Sequence, residues 1–318
     1  MAFTAKEIWK LIDSYKSFDI IGHKEPDGDC LGSQLALYYH LSRAGKNATL
    51  YSPGPFFRNE VNAVAQMFIQ ELPAQADPES LVIVLDCSSP DRLGNMAPII
   101  DGRELLVIDH HSTGKPFSTD KTYIDPKSPS TTLLVQEILE ESGLDFDRDT
   151  AYWLFFGFCT DTGFFRHLEQ GNAAHFAAAS RLLVHDISPR DVFMEMYGGK
   201  LPESRQLIGR ILAGAEFSGP LCICVETLEM GGGSAIRDSD SLYQLLLTTK
   251  GIEIIIYLRE EEDGSVSGGI RTREKIDAGL LAKQFGGGGH ARAAGLSWDG
   301  TIGDLKEKIR ARAAELLG

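Results

Sequence analysis

The sequence predicts an α/β protein with a parallel sheet in its N-terminal part and a smaller, mixed-sheet α/β domain in its C-terminal part. Short apolar runs at residues 18–22, 81–85 and 105–108 each stop abruptly at polar residues and are separated by helical patterns. Strands that alternate with helices are typical of a parallel sheet. An apolar run of four or five residues between turn signals fits a strand that is buried on both faces.

The elements of the N-terminal part follow from periodicity and capping signals. Thr4 to Glu7 form a capping box ahead of the first helix, and Gly143 provides a stop signal for a later one. Helices are predicted at residues 8–15, 30–44, 61–72, 130–141, 150–158, 172–185 and 188–197, and strands at residues 18–22, 48–51, 81–85 and 105–108.

The sequence pattern becomes richer in predicted strands after the linker-like sequence at residues 198–202. Strands are predicted at residues 221–226, 252–259 and 265–271, with helices at 203–213, 240–247 and 278–285 and a last helix after Thr301. Glu262-Asp263-Gly264 favours a hairpin turn. We therefore predict a first domain at residues 1–197, a linker and connecting helix at 198–214, and a second domain at 215–318, with an active-site cleft between the two domains.

Composition limits the possible functions. The chain has 318 residues, enough for two cores, with 43% hydrophobic and 24% charged residues. A net charge of −14 argues against broad binding to long duplex nucleic acid, which needs an extended basic surface. The five cysteines favour reduced thiols over a disulfide framework, and no apolar run is long enough to span a membrane. We expect a cytoplasmic protein that makes no membrane contact.

Potential metal ligands follow three of the predicted strands. His23 comes after the first strand, Asp86 after the third, and Asp109, His110 and His111 after the fourth. Parallel strands of one sheet share a carboxyl edge, so these side chains should converge. Three more carboxylates come from the loop after the first strand and from the end of a helix, namely Asp27, Asp29 and Asp161.

So many carboxylates in one place cannot all stay ionised without a cation, because each raises the pKa of its neighbours. Carboxylates with imidazoles are ligands of manganese, iron or zinc, and magnesium is favoured as carboxylates predominate. The ligand count is too high for one ion and fits two ions about 3.5 to 4 Å apart. A single Asp at a strand end is more often a turn former or a helix cap. The coincidence of three strand ends makes a purely structural role improbable here.

In combination, these motifs resemble those of the DHH phosphoesterases. The matching segments are His23-Lys24-Glu25-Pro26-Asp27-Gly28-Asp29, Asp86, Asp109-His110-His111 and Asp161-Thr162-Gly163. The segment FGGGGHARAAG at residues 285–295 resembles the signature of the C-terminal domain that accompanies them. Within the family, the chain most resembles oligoribonucleases of very short RNA that also act as pAp phosphatases. Phosphodiesterases of the cyclic-di-AMP pathway are related.

The resemblance implies two divalent ions, with manganese expected and magnesium as the alternative. It assigns His23, Asp27 and Asp86 to one ion, and it assigns Asp29, Asp86, His110 and Asp161 to the other, with Asp86 bridging. Asp109 would orient ligands, and His111 would contact the scissile phosphate or the leaving oxygen. A hydroxide between the ions would attack phosphorus, so no side-chain nucleophile is needed.

The same resemblance places substrate binding in the C-terminal part. Arg271 and the glycine loop, with Gly287, Gly288, Gly289 and His290, would hold the phosphate and terminal nucleotide of the substrate. Arg271 offers a bidentate fork for phosphate, and consecutive glycines let backbone N–H groups approach a ligand. Arg92 matches an arginine often seen in the family, and contact with phosphate and support of its own loop are equally good interpretations. The family often forms dimers, so a homodimer is one expectation.

The preferred hypothesis is a dinuclear-metal phosphoesterase that acts on short oligoribonucleotides and on small nucleotides such as pAp and linear pApA. A pyrophosphatase or exopolyphosphatase, or a cyclic-di-AMP phosphodiesterase, is the alternative among enzymes. A metal-free nucleotide-binding regulatory module is the alternative outside enzymes. Cys30 and Cys87 directly follow predicted ligands, and Cys159 lies two residues before Asp161. We expect these thiols not to bind metal, because a residue adjacent to a ligand on an extended chain points away from it.

Overall fold

The computed structural model describes residues 3–71, 77, 79–87, 89–111, 117–168, 171–231 and 236–317. The chain divides into two compact units, Met1–Gly198 and Gly199–Gly318. The predicted fold class is confirmed: the first unit has a parallel sheet, and the second has a mixed sheet. The predicted cleft between two domains, and the predicted domain bounds, stay predictions.

The first unit contains a five-stranded sheet in the order β2-β1-β3-β4-β5, with every neighbouring pair parallel. Its strands are β1 (Ser17–Ile21), β2 (Asn47–Tyr51), β3 (Leu81–Leu85), β4 (Leu105–Asp109) and β5 (Thr122–Ile124). Its helices are α1 (Ala5–Asp13), α2 (Gly28–Arg43), α3 (Asn59–Asn62), α4 (Thr131–Glu140), α5 (Arg148–Asp161), α6 (Ala173–Leu182) and α7 (Pro189–Tyr197). Short 3₁₀ segments lie at Ala65–Met67, Pro90–Ile100 and Leu183–His185.

The central strands are buried on both faces, as their unbroken apolar runs predicted. Alternate residues of β3 contribute to two different hydrophobic clusters, with Ile83 in one and Val84 in the other. β4 does the same with Ile108 and Val107. Because both faces are covered, the polar residues that follow these strands collect at the edge of the sheet.

Helices α2 and α5 pack closely because glycine lies at their contact. A Cβ atom on Gly32 would lie 2.7 Å from the carbonyl oxygen of Trp153 and 3.2 Å from Gly157 Cα. This contact matters for the site, because α2 carries Asp29 in its first turn and α5 ends at Asp161.

One expectation for the first unit is wrong. The helix predicted at residues 61–72 is the short α3 followed by a 3₁₀ turn, and Leu72 itself lies outside the described residues. The Ile69 backbone N–H donates to Leu50, and Ile69 pairs with Tyr51, so this segment extends beside β2. The helix predicted at residues 150–158 spans Arg148–Asp161, and Asp161 lies at its end, as predicted.

His40 on α2 connects the stability of the first unit to pH. Its ring is fully buried between Trp9 and Phe146, and its Nε2 lies 2.9 Å from Ser142 Oγ. Its Nδ1 has no hydrogen-bond partner among the described residues. Burial, assisted by the charge of Arg43, lowers the pKa of His40 from 6.5 to about 4.

We therefore expect the free energy of unfolding to fall as pH is lowered from 6.5 to about 4. The unfolded chain takes up this proton near the ordinary pKa, whereas the folded chain resists it, so stability is complete above pH 6.5 and is lost below it. The loss attributable to His40 is about 3 kcal/mol. Urea unfolding across this range should show a smaller pH dependence for His40→Gln. An equal dependence in the variant would contradict the assignment.

The second unit contains a six-stranded sheet in the order β10-β11-β9-β8-β7-β6, in which only the pair β7 and β8 is parallel among the described strands. Its strands are β6 (Glu216–Ser218), β7 (Leu221–Glu226), β8 (Ile254–Glu260), β9 (Val266–Thr272), β10 (Gly288–Gly289) and β11 (Ala293–Trp298). Its helices are α8 (Pro202–Ala213), α9 (Ser239–Leu247), α10 (Ala278–Lys283) and α11 (Ile302–Leu317).

Helices cover both faces of this second sheet. Residues of α8 and α9 form one hydrophobic cluster with β7 and β8, and residues of α10 and α11 form another with β7, β8, β9 and β11. The predicted hairpin joins β8 to β9: the Glu261 N–H donates to Ser265, and Gly264 adopts a φ of 83°. The strands β6, β10 and β11 were not predicted, because their short, glycine-containing or exposed sequences lack a strand pattern.

Candidate metal centre

The predicted strand-end residues lie together at one edge of the first sheet. His23 follows β1, Asp86 follows β3, and Asp109 ends β4 with His110 directly after it. These three strands are neighbours and parallel, so their carboxyl ends meet. The positions of these side chains therefore follow from sheet topology.

Asp86 is at the centre of the group. It adopts a left-handed φ of 54°, which turns the chain sharply at the end of β3, and its side chain is buried. Asp86 Oδ2 lies 3.4 Å from His23 Nε2, and Asp86 Oδ1 lies 3.6 Å from His110 Nε2. The Thr131 hydroxyl donates to Asp86 Oδ1 over 2.9 Å. One carboxylate therefore contacts both imidazoles.

Both imidazoles are oriented by backbone carbonyls. His23 Nδ1 lies 2.7 Å from the carbonyl oxygen of Lys24, and His110 Nδ1 lies 3.2 Å from that of Ser128. When Nδ1 donates its hydrogen to these carbonyls, Nε2 of each ring presents a lone pair to the carboxylates. Metal-binding histidines in proteins are commonly fixed in this way.

Asp27 and Asp29 are positioned by helix starts. Asp27 caps α2, and its Oδ1 accepts from the backbone N–H groups of Asp29 and Cys30, each over 3.1 Å. Asp27 Oδ1 lies 3.9 Å from His23 Nε2. Asp29 is fully buried and lies 4.0 Å from His110 Nε2 through its Oδ2. Asp29 also accepts from the first turn of α4, through Thr131 N, Thr132 N and Thr132 Oγ1 at 2.6, 2.9 and 2.7 Å.

Asp161, at the end of α5, completes the arrangement. Its Oδ2 lies 3.1 Å from His110 Nε2, yet this buried nitrogen has no hydrogen-bond partner among the described residues. A lone pair and a carboxylate that face each other at this distance repel, unless a proton or a cation lies between them. The contact therefore requires a proton, or a cation in its place, between these two atoms.

Among the described residues, three groups have ligand atoms close enough to share an ion. They are Asp29 with His110 and Asp161, Asp86 with His110 and His111, and His23 with Cys30 and Asp86. The residues present thus fit divalent ions, and Asp86 and His110 each belong to two of the groups. All six predicted ligands lie at this edge of the sheet, and their assignment to two ions is a proposal.

The electrostatics of these buried acids also favour a cation. Burial, followed by the charges of nearby carboxylates, raises the pKa of Asp29 and of Asp86 well above the ordinary value. Burial alone would lower the pKa of His110, but the carboxylates of Asp161 and Asp29 raise it to about 10. Without metal, the centre therefore holds extra protons. Divalent ions would replace those protons and remove the repulsion.

Asp27 and His23 differ from the other predicted ligands in their electrostatics. Burial alone would raise the pKa of Asp27, but the charges of His23 and Arg58 and two backbone N–H groups lower it. Burial lowers the pKa of His23 despite the opposing effect of Asp27. A neutral imidazole beside an ionised carboxylate is the protonation state that metal binding requires.

Asp109 and His111 form a hydrogen-bonded pair beside Asp86, whose Oδ1 lies 3.5 Å from His111 Nδ1. Asp109 Oδ1 lies 2.8 Å from His111 Nδ1 and accepts the His111 backbone N–H over 3.0 Å. The hydrogen bond that His111 donates to Asp109 raises the pKa of His111, whereas burial opposes that shift. Asp109 thus orients His111, which we predicted would contact the substrate.

Three residues that act on this centre were not predicted from the sequence. Thr131 and Thr132 bond to Asp86 and Asp29, and Arg58 acts on the pKa values of His23 and Asp27. The first two could have been found from the Ser130-Thr131-Thr132 helix start, because free N–H groups there attract carboxylates. No sequence signal identifies Arg58.

Arg92 lies beside the same edge. Its carbonyl oxygen accepts the Lys24 backbone N–H over 2.7 Å, and its charge lowers the pKa of His23. The backbone contact supports the loop after β1. Binding of phosphate by Arg92 stays a prediction.

Cys30 does not point away from the predicted ligands, and that prediction is wrong. Cys30 lies in the first turn of α2 rather than on an extended chain, and its Sγ is close to ligand atoms of His23 and Asp86. Burial, followed by the charges of Asp86 and Asp27, raises the pKa of Cys30 well above that of a free thiol. Burial also raises the pKa values of Cys87, to about 12, and of Cys159. These buried thiols are poor nucleophiles.

The glycine segment of the second unit is a tight hairpin. Gly288 and Gly289 pair with Gly295 and Ala294 as β10 and β11, and the His290 N–H donates to Ala293 over 2.7 Å. A Cβ atom on Gly287 would lie 2.1 Å from the Gly295 carbonyl oxygen, and one on Gly289 would lie 2.6 Å from that of Ala293. A Cβ atom on Gly288 would meet nothing within 4 Å. Gly287 and Gly289 are thus required by packing, and Gly288 faces open space.

Each of the two units matches a known domain family. Residues 17–158 match the DHH family, N-terminal domain, and residues 224–317 match the DHHA1 domain. The bifunctional oligoribonuclease and PAP phosphatase NrnA of Thermus thermophilus is 28% identical over 284 residues, which cover 88% of this chain and 84% of that protein. The protein of the same name from Bacillus subtilis is 25% identical over 303 residues, covering 92% of this chain and 94% of that protein.

A solved structure has the same fold over nearly the whole chain. An exopolyphosphatase-related protein from Bacteroides fragilis superposes with a TM-score of 0.81 at 22% identity, covering 99% of this chain and 97% of that one. Within the described residues, no helix combines the length and the apolar character needed to cross a membrane.

Proposed function

The chain belongs to the DHH family of phosphoesterases, and from this premise we propose that it is a dinuclear-metal hydrolase of short oligoribonucleotides and of small nucleotides such as pAp and linear pApA. The observation that carries the proposal is the position of Asp86 between the Nε2 atoms of His23 and His110. The NrnA proteins, which match over most of their length, support the substrate class.

The metal assignment follows from the ligands. We propose His23, Asp27 and Asp86 for one ion and Asp29, Asp86, His110 and Asp161 for the other. Carboxylate and imidazole together favour manganese, with magnesium as the alternative. When bound, the two ions would activate water and neutralise the phosphate oxygens.

The residues of this chain then have distinct tasks. The carbonyl groups of Lys24 and Ser128 hold the two imidazoles in the tautomer that presents Nε2. Asp109 keeps His111 oriented and raises its pKa, which favours the charged form, so that a His111 N–H can donate to the phosphate or to the leaving ribose oxygen. Arg271 and the open backbone at Gly288 would bind the phosphate and terminal nucleotide of the substrate.

The proposal is tested by incubating the purified chain with Mn²⁺ and each of five compounds: a ribodinucleotide, a five-residue RNA, pAp, cyclic di-AMP and pyrophosphate. We expect hydrolysis of the dinucleotide and of pAp, slower hydrolysis of the five-residue RNA, and loss of all activity with a chelator. Cleavage of pyrophosphate alone, or of cyclic di-AMP alone, would replace the substrate assignment. Equal binding of nucleotide with and without metal, and no hydrolysis, would indicate a metal-free binding module.

Substitutions at two adjacent glycines should distinguish an effect on substrate binding from an effect on stability. Gly288→Ala should leave the melting temperature unchanged and raise KM for the dinucleotide about tenfold, because its Cβ would face a ligand and not protein. Gly287→Ala should instead lower stability by about 1 to 3 kcal/mol, since its Cβ would overlap the backbone of β11. Thermal unfolding and steady-state kinetics of the pair measure both effects. An unchanged KM for Gly288→Ala would remove this glycine from the binding site.

A further inference from the structure

Arg271 on β9 is held mainly by an aromatic ring. Its Cζ lies 4.4 Å from the centroid of the Tyr243 ring, and one guanidinium N–H donates to the carbonyl oxygen of Ile270 over 3.1 Å. Arg271 forms no ion pair with any carboxylate in the described part of the chain. A cation stacked on an aromatic face keeps the N–H groups at its edges available.

The Tyr243 ring is itself fixed in position. It lies on α9, is 4% exposed, and packs edge-on against Tyr257 with their centroids 6.1 Å apart. Its hydroxyl reaches over β9, where a Cβ atom on Gly269 would lie only 2.1 Å from it. The missing side chain at position 269 therefore gives the ring its place beside Arg271. Within the described residues, the hydroxyl makes no hydrogen bond.

We propose that Tyr243 is a positioning residue for substrate binding. It would hold the Arg271 guanidinium in one orientation before the ligand arrives, so that the fork binds the anionic group of a nucleotide without first being ordered. Gly269 would act indirectly, by making room for the ring. This inference rests on the proposed function, because it takes Arg271 as the group that binds the substrate.

The test uses the full chain with Mn²⁺ and two substrates. One is a ribodinucleotide that carries a terminal phosphate, and the other is bis(p-nitrophenyl) phosphate, which has no nucleotide for Arg271 to bind. Tyr243→Leu should raise KM for the dinucleotide about tenfold, the effect of losing a cation–π contact, with kcat and the rate on the chromogenic ester little changed. Tyr243→Phe should keep the wild-type KM, because the phenyl ring retains the aromatic face.

The contact with Gly269 allows a compensation experiment. Gly269→Ala should raise KM for the dinucleotide, because its methyl group would collide with the Tyr243 hydroxyl. Adding Tyr243→Phe should restore KM, since the next nearest atom of the ring, Cζ, would lie 3.2 Å from that methyl group. Leu246→Ala is the matched control: it removes a buried side chain from the same helix and should lower the melting temperature without changing KM.

The outcomes separate the two proposals. The positioning role is wrong if wild type cleaves the dinucleotide and Tyr243→Leu has the wild-type KM. It is also wrong if adding Tyr243→Phe does not restore the KM of Gly269→Ala. A fall in kcat on both substrates in step with the melting temperature would also overturn it, since that indicates general destabilisation. If wild type cleaves the chromogenic ester and no nucleotide, the proposed function fails first. If Tyr243→Leu does not fold, the Gly269→Ala pair decides.

Discussion

Asp86→Asn should reduce the hydrolysis of short RNA about a thousandfold or more, because several kcal/mol of charge stabilisation at the metal centre would be lost. Among the described carboxylates, Asp86 alone lies within 4 Å of both His23 Nε2 and His110 Nε2. Its loss would therefore weaken both proposed ion positions at once. Asn has nearly the same shape and tolerates the left-handed φ of 54° at this position.

The same variant should affect stability in two opposite ways. Without metal, the buried Asp86 carboxylate is unfavourable, as its raised pKa indicates, so the variant should unfold at the wild-type temperature or above it. With Mn²⁺, wild type should gain stability from the bound ions, and the variant should gain much less. A plain loss of folding would lower the melting temperature in both conditions.

The measurements are the rate of dinucleotide hydrolysis and the melting temperature with and without Mn²⁺. Asp101→Asn is the matched control, because Asp101 is an exposed carboxylate of the same unit. It should keep the wild-type rate and the wild-type response to Mn²⁺. If Asp86→Asn retained more than a tenth of the activity and the full thermal response to Mn²⁺, the bridging role would be wrong.

The sequence predicted the part of this centre that depends on sheet topology. His23, Asp86 and His110 lie far apart in the chain, yet each follows a buried apolar run, and parallel strands bring such positions together. That inference needs only strand periodicity and connectivity. For this reason, the convergence of the predicted ligands at the strand ends could be inferred from the sequence alone.

The contacts between helices could not be inferred from the sequence in the same way. Thr132 reaches Asp29 only because α4 starts beside α2, and Gly32 matters only because α5 crosses there. Such contacts depend on helix orientation, which residue patterns do not specify. The error at residues 61–72 has a related cause: Ile69 pairs with β2, and this tertiary contact overrides a helical pattern.

Asp109→Asn should lower kcat about a hundredfold to a thousandfold, the range expected for losing a well-oriented general acid. Asp109 Oδ1 accepts from both the backbone N–H and the ring Nδ1 of His111, and an amide oxygen could still accept both. The geometry should therefore survive, and the negative charge beside the ring would disappear. The variant isolates the effect of that charge.

The direction of the pH effect follows from the shift at His111. Asp109 raises the pKa of His111, so the imidazolium, the form that can donate a proton, persists above the ordinary pKa of 6.5. Without the carboxylate the pKa should fall, and the alkaline limb of the kcat profile should move to lower pH. His111→Gln should abolish the alkaline limb. The double variant His111→Gln with Asp109→Asn should have a kcat only slightly below that of His111→Gln, because the two residues act as one unit. A uniform loss of rate with an unchanged pH profile would instead assign Asp109 a structural role, since only a charge acting through His111 moves that limb.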